Sequence, residues 1–366
     1  AVVDRRMPPP LVTGAHAEYV DNFISFALDP DRANHLRDLA VGRLRDGGLP
    51  VHELNDARKD ATTLGWDFSG DRVSATSRRL WRLRIGTLAV LERGRATGQE
   101  LARVVGHFTF AGLLQRSFLS VFDAVYGFEV AHWRDEVELW PSVKRELRWA
   151  VALLPLLWVD LRAEWDSMVV ATDASEWGRG GVQMRADAQA IASAGRQRER
   201  WRFPRGRGKR FVSARVHAGV EMPVPDVALP DAFDAYTSSP PSTCLVPREG
   251  EYSEGEECAE GCDSAADFEE IPSELLDGEW TVIASGEWRR SEHIVVLEGR
   301  ALVHALRHKL RSVHAFGKRS LFLSDSLVAV LALEKGRSSA PGLLRVCRQW
   351  AALTLAAGVD TRLRWL

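Results

Sequence analysis

Cysteine, net charge and long apolar runs are all scarce in this chain, and each scarcity excludes something. Four cysteines in 366 residues, Cys244, Cys258, Cys262 and Cys347, make no disulfide framework. A reducing intracellular compartment, cytoplasmic or nuclear, is the expectation. Cys258 and Cys262 lack flanking His or Cys partners for a zinc site. A formal net charge of −2 gives no global field for nucleic acid, so any basic surface has to be local. The longest apolar run, residues 151–159, contains Pro155 and is too short to span a bilayer. No signal-peptide pattern stands at Ala1, and no membrane partner is expected. The ends read as cut, since the chain does not open on Met and stops inside an apparent strand at Arg364-Trp365-Leu366. The length suits two or more domains.

What the chain does have is acids in places where acids are costly. Val169, Val170 and Thr172 predict a short buried strand that Asp173 interrupts. A carboxylate there is unfavourable unless it is paired or binds a metal. Gly178, Gly180 and Gly181 follow as a turn, with a second strand expected over 181–185. Glu298 comes after Ile294-Val295-Val296-Leu297 and opens an amphipathic helix. Leu302 at i+4 and Ala305 at i+7 place it beside the buried stripe. Asp325 follows Leu321-Phe322-Leu323 and precedes a helical run over 326–333. Alone, a strand-ending Asp is a turn former or a helix cap, and Asp325 stands where a cap would. Together, three such carboxylates can hold two Mg²⁺ or Mn²⁺ ions about 3.5–4 Å apart, a spacing suited to in-line attack on a phosphodiester.

The order strand-Asp, helix-Glu, strand-Asp-helix resembles the ribonuclease H family. That resemblance implies a mixed five-stranded sheet flanked by helices. It also implies that Asp173, Glu298 and Asp325 are catalytic metal ligands that cut RNA in an RNA–DNA hybrid. The family adds a fourth aspartate after its last strand, which this chain does not reach.

The N-terminal part points the same way. Two strand-like runs around Asp21-Asn22 predict a hairpin over residues 17–26. A helix is expected over 31–47, with Leu36, Leu39, Ala40 and Leu44 on one face. A strand pair is expected from residues 49–52 and 63–68. This order resembles the late palm and primer grip of reverse transcriptases, with Asn22 replacing the second aspartate of the tyrosine-x-aspartate-aspartate hairpin. The nearest resemblance is to tyrosine-recombinase retroelements of the DIRS/Ngaro kind. It implies Asp21 as a metal ligand of a polymerase site, Tyr19 as a nucleic-acid contact, and the missing fingers and first palm segment as a partner in the parent polyprotein. Residues 77–165 read as a helical thumb and connection, with a capping box at Thr97 and Glu100. Arginines 78, 79, 82, 84, 93 and 95 suit either a solvated helix face or phosphate contact.

Between 186 and 277 the ribonuclease H pattern is interrupted by an insert. Its first part, Arg196 to Arg210, carries eight basic residues interleaved with Trp201 and Phe203. Such tracts follow a phosphate backbone and stack bases, which makes Arg200, Arg202, Arg205, Arg207 and Trp201 candidate nucleic-acid contacts. The same composition serves as a solubilising loop or a localisation tract. Residues 221–277 read as a linker. From Glu249 to Glu279 there are thirteen acids and no Lys or Arg, a stretch expected to lie outside any core.

The fold class expected is α/β (α+β), in three parts: 1–76 palm, 77–165 thumb and connection, and 166–366 ribonuclease H-like and incomplete. The function expected is Mg²⁺-dependent cleavage of the hybrid, without polymerase activity from this chain alone. The alternative is a retroelement remnant that keeps the fold and only binds nucleic acid. The intact carboxylate trio argues for the enzyme, while Asn22 and the cut ends argue for the remnant.

Overall fold

The computed structural model describes residues 14–19, 22–202 and 269–366; Asp21, Arg205, Arg207, Cys258 and Cys262 lie outside them. The chain is a mixed α/β protein in two units: residues 1–76 with 159–162, and residues 77–158 with 163–366. No described helix is long and apolar enough to cross a membrane.

In the first unit, β1 (Gly14–Tyr19) and β2 (Asn22–Ala27) pair antiparallel with Tyr19 opposite Asn22, as a hairpin at that position requires. Helix α1 (Pro30–Asp46) starts on an Asp29 carboxylate that accepts the Asp31 N–H, and it ends at Gly47. Its expected apolar face is not a core: Leu39 and Leu44 are exposed and only Ala33 is buried. Leu36, Arg37 and Ala40 are half-buried, and Arg37 donates to Asp56 Oδ1 and to the Asn55 carbonyl, each at 2.8 Å. A four-stranded sheet runs β3 (Ala61–Thr63), β4 (Trp66–Ser69), β5 (Arg72–Ala75), β8 (Trp158–Asp160). Residues 49–52 form no strand, and Pro50, lacking an N–H, cannot donate to a ladder.

The turn between β3 and β4 is Leu64-Gly65, with φ +50° and +81°. That two-residue geometry favours Asn-Gly, whereas a left-handed Leu is strained by about 1–2 kcal/mol. Leu64→Asn should therefore stabilise the unit by about 1 kcal/mol, read as a higher urea midpoint at unchanged slope.

The second unit begins with α2 (Ser77–Arg93). Next come the short pair β6 (Arg95–Ala96) and β7 (Val137–Glu138), then α3 (Gly98–Gly112), α4 (Ala124–Ala131) and α5 (Pro141–Leu153). Thr97 and Glu100 form the expected capping box. Leu101, Val105, Phe108, Phe118, Phe128 and Leu147 close a helical core.

Against it packs a five-stranded sheet in the order β11-β10-β9-β12-β13. Strands β9 (Met168–Ala174), β10 (Gly178–Arg185) and β11 (Thr281–Glu287) are antiparallel neighbours. Strands β12 (Arg319–Ser324) and β13 (Asp360–Trp365) join parallel to β9. On one face, α8 (Ile294–Lys309), α9 (Leu327–Lys335) and α10 (Pro341–Ala357) bury Leu302, Leu306, Val330, Val346 and Trp350 over Val170, Phe322 and Leu363. On the other, Ile191, Ala194 and Leu275 cover Val169, Leu321 and Leu323. The period of two along β9 and β12 assigns alternate residues to the two cores.

Three expectations need correction. The insert does not begin at 186 or end at 277: α6 (Ala188–Arg196), α7 (Glu199–Arg202) and a 3-10 turn (Ser273–Leu275) are packed parts of the unit. Leu275 is fully buried, so the last residues of the supposed linker 221–277 contribute to the core despite their charge. Glu298 does not open its helix, because α8 starts four residues before it. Leu275→Ala should cost about 2–4 kcal/mol in chemical denaturation, a penalty no solvated linker residue would carry.

Candidate active site

Strand β12 pairs with β9 in parallel, with Leu323 opposite Ala171 and Ser324 opposite Thr172. Asp325 and Asp173 are the next residues on each chain, so they leave two hydrogen-bonded neighbours side by side, on strands about 4.8 Å apart. Both are exposed. Asp325 is not the cap of α9. That role belongs to Ser326, whose hydroxyl accepts the Ala329 N–H at 3.4 Å, and this leaves the Asp325 carboxylate for other work. The Asp325 carbonyl accepts the Trp365 indole N–H at 2.9 Å, which ties the strand end to β13.

Glu298 is brought to the same end by α8, which packs across β9 and β10. Partial burial holds its carboxyl above the usual carboxylate range, and the negative charges of Asp325 and Asp173 add to the shift. A hydrogen bond with Ser326 and the nearby His293 oppose it. The three acids therefore share one electrostatic neighbourhood. Among the described residues, no three His, Cys, Asp or Glu side chains are grouped so as to hold a metal ion as they stand. Their donor chemistry, carboxylate oxygen, suits Mg²⁺ or Mn²⁺.

The raised Glu298 pKa has a sign that can be tested. The folded state binds this proton more tightly than the unfolded chain, so the metal-free protein loses stability as pH rises from the ordinary 4.5 through the raised value. Glu298→Gln should remove that loss. In EDTA the variant should melt above the parent at neutral pH, and the gap should close on acidification.

Beside Asp173 is a shallow, open depression lined by Ser175, Arg179, Gly180, Gly286 and Glu287. Arg179 donates to the Glu287 carbonyl at 3.0 Å, and its guanidinium stands 5.0 Å from the Trp288 ring centroid. Trp288 in turn donates to the Ser175 carbonyl at 3.0 Å and lies 6.1 Å from His304. Burial holds the His304 imidazole below its usual pKa, and Arg179, Arg307 and Arg300 push it further down. Trp177, in the β9–β10 turn, is 81% exposed. Sequence reasoning passed over Arg179, Trp288 and His304. Their only early signal was an arginine set between Gly178 and Gly180.

The other sequence candidates lie elsewhere. Tyr19 is exposed at the end of β1 in the first unit. Arg200 is half-buried, with its backbone N–H on Glu334 Oε2 at 3.2 Å, so this arginine belongs to a packed helix and not to a solvated tract. Trp201 and Arg202 close α7.

No family model matches the chain, and neither does any curated protein. Among solved structures, it is similar to a foamy viral protease–reverse transcriptase in complex with an RNA/DNA hybrid, at 11% identity and a TM-score of 0.31. The match covers 96% of this chain and 56% of that one, so the chain spans little more than half the length of that protein.

Proposed function

We propose that the chain is a retroelement-derived nuclease of the ribonuclease H type that cuts the RNA strand of an RNA–DNA hybrid. The observation that carries this is the in-register exit of Asp173 and Asp325 from neighbouring parallel strands, with Glu298 close enough to feel both charges. Asp173, Glu298 and Asp325 would hold Mg²⁺ or Mn²⁺, which supplies charge stabilisation and an activated water when bound. Arg179 stands beside Asp173 as a phosphate-orienting cation, and Trp177 offers an exposed ring for stacking. Asp21 and Tyr19 would belong to a polymerase site completed by the fingers and palm of a parent polyprotein. Arg202, Arg205, Arg207 and Trp201 remain candidate backbone contacts in this reading.

A second reading, a remnant that binds hybrid without cutting it, is favoured by the absence of a three-carboxylate metal grouping among the described residues. Thermal melts with Mn²⁺ separate metal binding from chemistry. An ion that binds only the native state stabilises it by about 2.7 kcal/mol at a hundredfold excess over Kd. The parent should show this shift, and Asp173→Asn should lose most of it. Equal shifts in both proteins would remove the metal site. Cleavage of a labelled hybrid that vanishes in Asp325→Asn would establish the nuclease. Metal binding and hybrid binding without cleavage would establish the remnant.

A further inference from the structure

Helix α2 carries more apolar surface than the second unit uses. It packs on α3 and α5 through Leu83 and Thr87, both buried, and the Thr87 hydroxyl donates to the Leu83 carbonyl at 2.7 Å. On the other side of the helix Trp81, Ile85 and Leu88 are 62%, 61% and 43% exposed. At 3.6 residues per turn, Ile85 stands diametrically opposite the midpoint of Leu83 and Thr87, with Trp81 and Leu88 in line beside it. Residues that a helix turns straight into water contribute nothing to its own packing. A contiguous apolar stripe rimmed by charge marks an interaction surface.

The stripe belongs to a longer pattern. Arg78, Trp81, Ile85, Leu88 and Glu92 follow the alternating three-and-four spacing of a coiled-coil seam, and all five are exposed. The seam runs for about 21 Å at 1.5 Å per residue, and its two ends carry opposite charges, each seven residues from Ile85. A parallel pairing of two such helices would set Arg78 against Arg78 and Glu92 against Glu92. An antiparallel pairing centred on Ile85 sets each Arg78 against Glu92 of the other copy and encloses the apolar residues between two unlike pairs. The face is therefore complementary to itself, which is what a two-fold interface requires. Arg82 and Arg84 are exposed on either flank, where the charges of an interface rim stay in water. A nucleic-acid strand would suit those flanks, but Ile85 and Leu88 on the centre line neither stack on bases nor donate hydrogen bonds.

We propose that the outward face of α2 is the interface of a homodimer, in which Trp81, Ile85 and Leu88 pack antiparallel on the same stripe of a second copy and Arg78 pairs with Glu92 across the two-fold axis. Trp81 is the large anchor of this face, and Ile85 is its centre. One pair of 17-residue helices buries less than the about 1,600 Å² of a standard interface, so the association is reversible and set by protein concentration. The inference goes beyond the nuclease reading and does not rest on it.

Sedimentation velocity of the full chain over a concentration series tests it. Conversion from monomer to dimer between about 1 and 100 μM is expected. Ile85→Glu sets two acids face to face at the centre and should weaken the dimer about a hundredfold. Ile85 is exposed in the monomer, so the variant should keep the circular dichroism spectrum of the parent. Arg78→Glu and Glu92→Arg should each weaken the dimer about fivefold, and the double variant Arg78→Glu, Glu92→Arg should restore the parent's association. A charge reversal of this kind rescues only if the two positions face each other, so it also guards against a general loss of folding. A parent that stays monomeric at about 100 μM overturns the proposal, and so does a dimer that Ile85→Glu leaves intact. Loss of hybrid binding in Ile85→Glu, without self-association of the parent, also overturns it and gives the stripe to nucleic acid.

Discussion

Arg364→Met should lower the unfolding free energy by about 3–5 kcal/mol. Arg364 is fully buried in β13, and so is its partner Glu199 on α7. The guanidinium donates to Glu199 Oε1 and to the Ala194 carbonyl, both at 2.8 Å, and to the Glu269 carbonyl at 2.6 Å. Methionine fills much of the volume but strands a carboxylate in the core and leaves two carbonyls without that donor. Urea denaturation of the single variant should show the full loss. In the double variant Arg364→Met, Glu199→Met, much of it should return, because removing a buried pair together is far less costly than removing one member. A single variant within about 1 kcal/mol of the parent would mean that the pair is not what holds α7 against the sheet.

Glu146→Ala should be nearly as severe, by about 3–5 kcal/mol, through a different device. The Glu146 carboxylate, on α5, accepts the backbone N–H groups of Asp123, Ala124 and Val125 at 3.0, 3.0 and 3.1 Å. It thereby satisfies the start of α4, whose Asp123 makes no side-chain cap bond. It also receives Arg348 from α10 at 2.9 Å, and Arg348 donates to the Ser120 and Val121 carbonyls as well. One acid thus joins the helical segment to the sheet domain. Glu146→Gln keeps one acceptor oxygen, so it should recover part of the stability. If glutamine proves as damaging as alanine, the arginine contact and not the helix start is what Glu146 supplies.

Much of the second unit was legible because its signals are local. A β-branched run ending in Asp173, a helix stripe through Leu302 and Ala305, and the start of α9 just after Asp325 all follow from spacing and backbone preference. Asp173 and Asp325 could be named from sequence, but their adjacency depends on the parallel register of β9 and β12, which no local pattern encodes. The roots of the insert were misread for a related reason. Arg198 and Arg200 look like a solvated basic run until Glu334, more than a hundred residues later, is placed beneath them. Leu275 was hidden by the acids around it, because composition averages over a window in which one residue alone reaches the core. On α1 the helical period was correct, yet spacing does not say whether anything covers Leu39 and Leu44.

The Arg364 contacts also bear on how this gene can change. A single guanidinium holds the end of α6, the start of α7 and the Glu269 backbone in one place, so three segments far apart in sequence answer to one residue of β13. Two of its three acceptors are backbone carbonyls, which every amino acid supplies, so this contact leaves the side chains at 194 and 269 free to vary. The arginine has no such freedom, because a change at 364 is felt at all three segments at once. Substitutions there should be tolerated only together with one at Glu199, so the two codons are expected to drift as a pair.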